Sequence, residues 1–199
     1  MTNVGGFDND TYQGHGRLTS SDGSSMSGYW INGQLVRDDQ GRLLSDPLEL
    51  ALLNQGRLLE QALANVPAST PQIELYSLTL AGDGNQSVFM READYVSNLL
   101  KTRFGAAGQV NLVNHRDHLD DRPLATRENL TRAARTLAER TGPEDLVFIY
   151  LTSHGSHEHE LVLDLPRLQL ADLRADALAS ALAPLKDLYK VIVISACYS

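Results

Sequence analysis

The sequence predicts an α/β fold organised on a parallel sheet. Three observations carry this. Leu146 to Gly155 (LVFIYLTSHG) is a continuous apolar run that ends abruptly in Thr152-Ser153-His154-Gly155; an apolar run without polar alternation is the pattern of a strand covered on both faces. A second such run, Val191 to Ser195 (VIVIS), is followed by Ala196 and Cys197. Segments with helical periodicity lie between the strand-like runs, and alternation of this kind implies parallel strands joined by right-handed crossovers. Ligands bind beyond the carboxyl ends of such strands, and His154 and Cys197 both fall there.

Each element follows from local pattern. Residues 1–44 are rich in Gly, Asp, Asn and Ser with aromatics at intervals: Phe7, Tyr12-Gln13-Gly14-His15-Gly16, Asp22-Gly23, Gly28-Tyr29-Trp30 and Asn32-Gly33. Short strands broken by Asp-Gly and Asn-Gly turns are hairpin signals. Residues 45–71 read as a helix and linker. Asp46-Pro47 supplies the N-cap and first helical position, Leu48, Ala51, Leu52, Leu58, Leu59 and Ala62 recur at helical spacing, and Val66 to Pro71 is the linker.

Residues 72–199 carry the α/β alternation. Ile73 to Leu80 is a first strand, with the turn Ala81-Gly82-Asp83-Gly84-Asn85 at its carboxyl end. Arg91 to Phe104 is amphipathic through Ala93, Val96, Leu100 and Phe104, and Gln109 to Asn114 is a second strand. Thr126 caps a helix to Arg140 with Leu130, Ala133, Ala134 and Leu137 on one face. After the His154 strand come a short return strand from Glu160 to Asp164, a helix from Arg174 to Ala183 stopped by Pro184, and the Cys197 strand, both catalytic-edge strands being read as buried.

Composition narrows the function. Hydrophobic residues make up 42% and charged residues 21%, an ordinary globular balance, in a chain long enough for one full core plus a small extra segment. A formal charge of -8 argues against a nucleic-acid partner. No apolar run approaches the roughly 20 residues of a membrane helix, and the polar, Gly-rich start is no signal peptide. The single cysteine precludes an internal disulfide and leaves a free thiol. A soluble, cytoplasmic protein is expected if Met1 is the native start, and a periplasmic or membrane-anchored one if an N-terminal region precedes it.

The chemistry at the two strand ends is nucleophilic. A thiol becomes a strong nucleophile as the thiolate, and a nearby imidazole can take its proton or later protonate a leaving amine. Gly155 carries no side chain, so its backbone N–H is free to approach a carbonyl and, with the N–H of Cys197, to form an oxyanion hole. Singly, such a Cys is most often a small buried hydrophobe and such a His a satisfied polar group; as a pair at one sheet edge they are far more specific.

LVFIYLTSHGS, a return strand and VIVISACYS together resemble the two catalytic motifs of the legumain family of cysteine peptidases, which comprises asparaginyl endopeptidases and the transamidase that attaches glycolipid anchors. The first strand, Ala81-Gly82 and the helix carrying Ala93-Asp94 match in style. The resemblance spans roughly residues 72–199 and implies a caspase-like, three-layer sandwich. It further implies His154 as catalytic base or acid, Cys197 as nucleophile, Gly155 and Cys197 as the oxyanion hole, a protein or peptide substrate, and no cofactor. The family usually carries Asn and Arg in the turn before the first helix, the Arg helping to build the primary specificity pocket; these positions fall on Val88 and Met90, with Arg91 one place later as a substrate-binding substitute. Ser153 stands where many members have Asp, also toward the substrate. The family continues past the Cys with a turn, a helix and further strands, so this segment is expected to be the N-terminal portion of the catalytic domain, truncated after the Cys strand. The missing C-terminal part would be its partner, and an apolar sheet edge would stand open. Residues 1–44 resemble a MORN-type β segment, about one repeat and the end of a preceding one; a generic hairpin adaptor is the alternative.

The expected activity is peptide-bond hydrolysis through an acyl-thioester on Cys197. Acyl transfer to an amine at the same site, and a non-catalytic scaffold module, are the alternatives. The other polar clusters read as solvated loops. His154, His157 and His159 with Glu158 and Glu160 lack helical metal-ligand spacing, so no metal is expected. His115-Arg116-Asp117-His118 follows the second strand as a polar loop, and Gly82-Asp83-Gly84 lacks dinucleotide-binding spacing.

Overall fold

The computed structural model describes residues 2–8, 11–20 and 23–197. The chain divides into two compact units, Met1–Leu50 and Ala51–Ser199. Among the described residues, no helix is long and apolar enough to cross a membrane.

In the first unit, β1 (Thr2–Asp8), β2 (Thr11–Thr19), β3 (Ser25–Ile31) and β4 (Gln34–Arg37) form an antiparallel meander in chain order. Asn32 and Gly33 join β3 to β4 with φ of 48° and 80°; two positive φ values in a two-residue loop are what a type I′ hairpin needs. The buried Trp30 donates its indole N–H to the Gly16 carbonyl at 3.0 Å and meets Tyr12 edge-on at 5.4 Å. Gly28 is required by close approach, since a Cβ there would lie 2.1 Å from the Arg37 carbonyl oxygen. Of the expected Asp22-Gly23 turn, Asp22 lies outside the described residues.

The helix α1 (Pro47–Ala64) begins where its cap predicts: the Asp46 carboxylate accepts the Leu48 N–H at 2.9 Å. Its inner face differs from the expected one. Leu59 and Leu63 join the core of the second unit, whereas Leu52 is exposed and Ala62 half-buried. Gln55 explains this orientation, because its amide accepts the Leu124 N–H at 2.8 Å and donates to the Leu119 and Arg122 carbonyls, which fixes that face of the helix on the loop after the second strand of the sheet.

That sheet contains β5 (Leu75–Ala81), β6 (Gly108–Val113), β7 (Leu146–Thr152) and β8 (Tyr189–Ser195), all parallel, in the order β6-β5-β7-β8. Side chains alternate across a strand, so Tyr76, Leu78 and Leu80 share a face with Val110, Leu112, Val147, Ile149 and Leu151. This face packs against α1, α3 (Arg127–Arg140) and α4 (Ala175–Leu182). The opposite face of β5 and β6 carries Ser77, Thr79, Gln109 and Asn111, which bond to one another and, through Gln109, to the Ser97 carbonyl of α2 (Ser87–Phe104). Three layers result.

Three expectations are corrected. The helix expected from Arg91 begins at Ser87, because the Asp83 carboxylate collects the Asn85 and Gln86 N–H groups at 2.8 and 2.9 Å and starts the turn early; Phe104, expected inside, is exposed. The expected return strand at Glu160 to Asp164 is a run of isolated bridges, Gly155 with Leu161 and Asp83 with Asp164. The β8 strand, read as buried, is an outer strand among the described residues, in keeping with the open apolar sheet edge also expected: Val191, Ile192 and Ile194 are exposed, Ile192 by 43%.

Candidate active site

The β7 and β8 strands end level. Thr152 is paired with Ser195, and the next N–H, of Ser153, donates to the Ser195 carbonyl at 3.3 Å. His154 and Cys197 each lie two residues past this pair, on neighbouring strands about 4.8 Å apart. The end of β7 is anchored from α2, where Glu92 accepts the Thr152 hydroxyl at 2.6 Å.

Gly155 lies directly against Cys197. A Cβ on Gly155 would fall 1.7 Å from the Cys197 carbonyl oxygen and 3.3 Å from its nitrogen. The chain turns back here, so that the Val162 N–H donates to the His154 carbonyl at 2.9 Å. Neither the Gly155 N–H nor the Cys197 N–H donates to another described residue. The Cys197 thiol is exposed.

The His154 ring is held from the start of α2. Gln86, the N-cap, places its amide nitrogen 2.9 Å from Nε2. Phe89, one helical turn on, meets the ring edge-on with centroids 4.8 Å apart. No hydrogen bond joins the ring to Cys197 Sγ; Nε2 is engaged by Gln86. Gln86 and Phe89 were not legible as site residues, because the helix was expected to begin only at Arg91. The local signal was the Asp83 N-cap-like residue ahead of Ser87.

Beneath this pair the polar groups are satisfied internally. Ser153 is 2% exposed and its hydroxyl donates to the Val162 carbonyl at 2.6 Å. Gly82 fits under it because a Cβ would lie 2.5 Å from the Val162 oxygen. Asn85 bridges the Asp83 and Asp164 carboxylates. Arg91 lies on the exposed side of α2, about 200° round the helix from Phe89, and makes no ion pair with a described residue. Gly155 thus lies against Cys197 with His154 next to it in the chain, Ser153 is buried before them, and Arg91 is on the exposed side of α2. Among the described residues, no three His, Cys, Asp or Glu side chains converge on a metal position.

Ser87, His115 and Asp117 have the residue types of a proton relay but not its proton arrangement. The Asp117 backbone N–H donates to His115 Nδ1 at 3.3 Å, so the neutral ring carries its proton on Nε2, which faces the Ser87 oxygen at 3.0 Å. A ring that donates to Ser87 cannot also take its proton. Burial pushes the His115 pKa below the usual imidazole value, against the opposing pull of Asp117. The trio fastens the loop after β6 to the start of α2.

Residues 127–199 match the Peptidase C13 family. The matched stretch runs from α3 through β8 and contains His154, Gly155 and Cys197. This similarity to the legumain family supports a cysteine-peptidase type of function, and the parallel α/β sheet is consistent with a caspase-like fold. A search of curated proteins gives no match to the chain.

Proposed function

We propose that the chain is a cysteine endopeptidase that works through Cys197 and His154. What supports this is the direct apposition of Gly155 and Cys197 at two level strand ends, inside the stretch that matches a peptidase family. In this reading Cys197 Sγ bonds to the substrate carbonyl carbon as its proton passes to His154. The C–N bond then breaks, the amine nitrogen takes that proton, and an acyl-thioester remains. Water adds to the thioester, the C–S bond breaks, and the thiol is regenerated. The N–H groups of Gly155 and Cys197, which donate to no other described residue, are the donors offered to the carbonyl oxygen as it becomes negative.

Ser153 takes a positioning part, holding the His154 loop through Val162. A substrate contact for Arg91 requires a substrate that reaches round α2; an unchanged KM in Arg91→Ala would remove it. An amine in place of water would make the same thioester a transfer intermediate, and product analysis with added hydroxylamine separates the two. Residues 1–44 are read as a MORN-like β segment.

The deciding experiment is peptide hydrolysis by wild type and Cys197→Ala. Activity in the first and none in the second is expected; residual turnover in Cys197→Ala refutes the mechanism.

A further inference from the structure

The peptidase reading leaves open which imidazole nitrogen exchanges protons and what holds the ring for it. Among the described residues, no charged side chain bonds to His154, yet Nε2 is engaged at 2.9 Å by the Gln86 amide nitrogen. An amide nitrogen only donates, so Nε2 is the accepting nitrogen and the neutral ring carries its proton on Nδ1. Nδ1 makes no hydrogen bond to a described residue and is the nitrogen left for the reacting groups.

The backbone of Gln86 is itself held in place. Its backbone N–H donates to the Asp83 carboxylate at 2.9 Å, and Asp83 is buried. It occupies the N-cap of α2 without using its side chain as a cap, so the amide is committed to His154 and not to the helix. Phe89, three residues on and on the same side of the helix, meets the imidazole in a T-shaped contact. The ring is therefore fixed in position by Phe89 and in rotation by Gln86.

We propose that Gln86 is the positioning residue of His154: it sets the orientation of the ring, and with its amide nitrogen toward Nε2 it holds the resting ring in the Nδ1-protonated tautomer. A half-turn of the amide presents Oε1 in place of nitrogen. The ring proton then sits on Nε2, and the Nδ1 lone pair is free to accept the thiol proton. Glutamine serves both states; a carboxylate, which only accepts, serves the second alone, and an alanine serves neither.

This inference rests on the peptidase reading for its catalytic meaning, but its test does not. The experiment is imidazole ¹⁵N NMR of the full chain in wild type, Gln86→Ala and Gln86→Glu, under conditions where His154 is neutral. In wild type, Nε2 is expected in the unprotonated, accepting form; in Gln86→Glu, the proton moves to Nε2. An Nε2-protonated ring in wild type, or a tautomer unchanged in Gln86→Glu, overturns the proposal. In turnover, Gln86→Ala is expected to lower kcat about tenfold or more with little change in KM, and Gln86→Glu to change the pH profile. A kcat in Gln86→Ala equal to wild type also overturns it. If no form hydrolyses peptides, the peptidase reading fails, while the tautomer result still decides the role of Gln86.

Discussion

Gly155 and Cys197 touch through their backbones: a single methyl group on Gly155 would overlap the Cys197 carbonyl oxygen at 1.7 Å. The glycine is needed here for close approach. No side chain fits between the His154 loop and the end of β8, so the geometry of the pair depends on this one missing Cβ. In Gly155→Ala the end of β8 must move. The expected cost is about 1–3 kcal/mol, seen in a urea midpoint, with a loss of turnover larger than the loss of stability accounts for.

The thiol is expected to react through its neighbour. Iodoacetamide labelling of Cys197 at neutral pH should be faster in wild type than in His154→Ala, because a thiolate reacts and a thiol does not. Equal rates in the two proteins would mean that the His and the Cys do not work together.

The buried His115 makes stability pH-dependent. Burial holds its pKa in the fold below the usual imidazole value, so the unfolded chain takes up a proton that the folded chain refuses. Stability therefore falls as pH drops below about 6.5 and levels once the folded ring is protonated as well. His115→Gln should flatten the urea midpoint between pH 7 and pH 5; an equally steep dependence would assign the effect elsewhere.

Asp145 ties together the starts of β5 and β7. It is fully buried and accepts the Glu74 N–H at 2.8 Å and the Gly142 N–H at 2.7 Å. Burial alone would raise its pKa, but the hydrogen bonds from Ser69, Gly142 and Glu74 outweigh it and hold the carboxyl below the usual range. Its contribution is thus present above the ordinary carboxylate pKa and lost as pH falls through the lower, folded-state value. Asp145→Ala should cost about 2–4 kcal/mol in thermal or urea unfolding at pH 7, from buried N–H groups left without an acceptor.

Ile192, exposed on β8, is expected to tolerate charge. Ile192→Lys should change stability by no more than about 0.5 kcal/mol and reduce self-association, because a charged side chain blunts an open strand edge. A marked fall in the melting temperature would show that β8 is covered in solution.

Much of this fold is local and therefore legible. Thr126 caps α3 through its hydroxyl, which accepts the Asn129 N–H at 3.1 Å. Leu130, Ala133, Ala134 and Leu137 are all buried, because a helix has one period and a cap needs one side chain. The parallel order of His154 and Cys197 strands follows likewise from apolar runs separated by helices. Strand order, however, is not written in any local pattern. It makes β8 an outer strand despite a sequence as apolar as that of β7, and it brings Gly155 onto Cys197 and Gln86 onto His154. By itself the sequence determined the alternating elements, their caps and the two reactive residue types at strand ends. Only the tertiary structure decided which backbone each glycine must admit and which side chain holds the imidazole, because those contacts form between segments that are distant in the chain and meet only when the sheet is assembled.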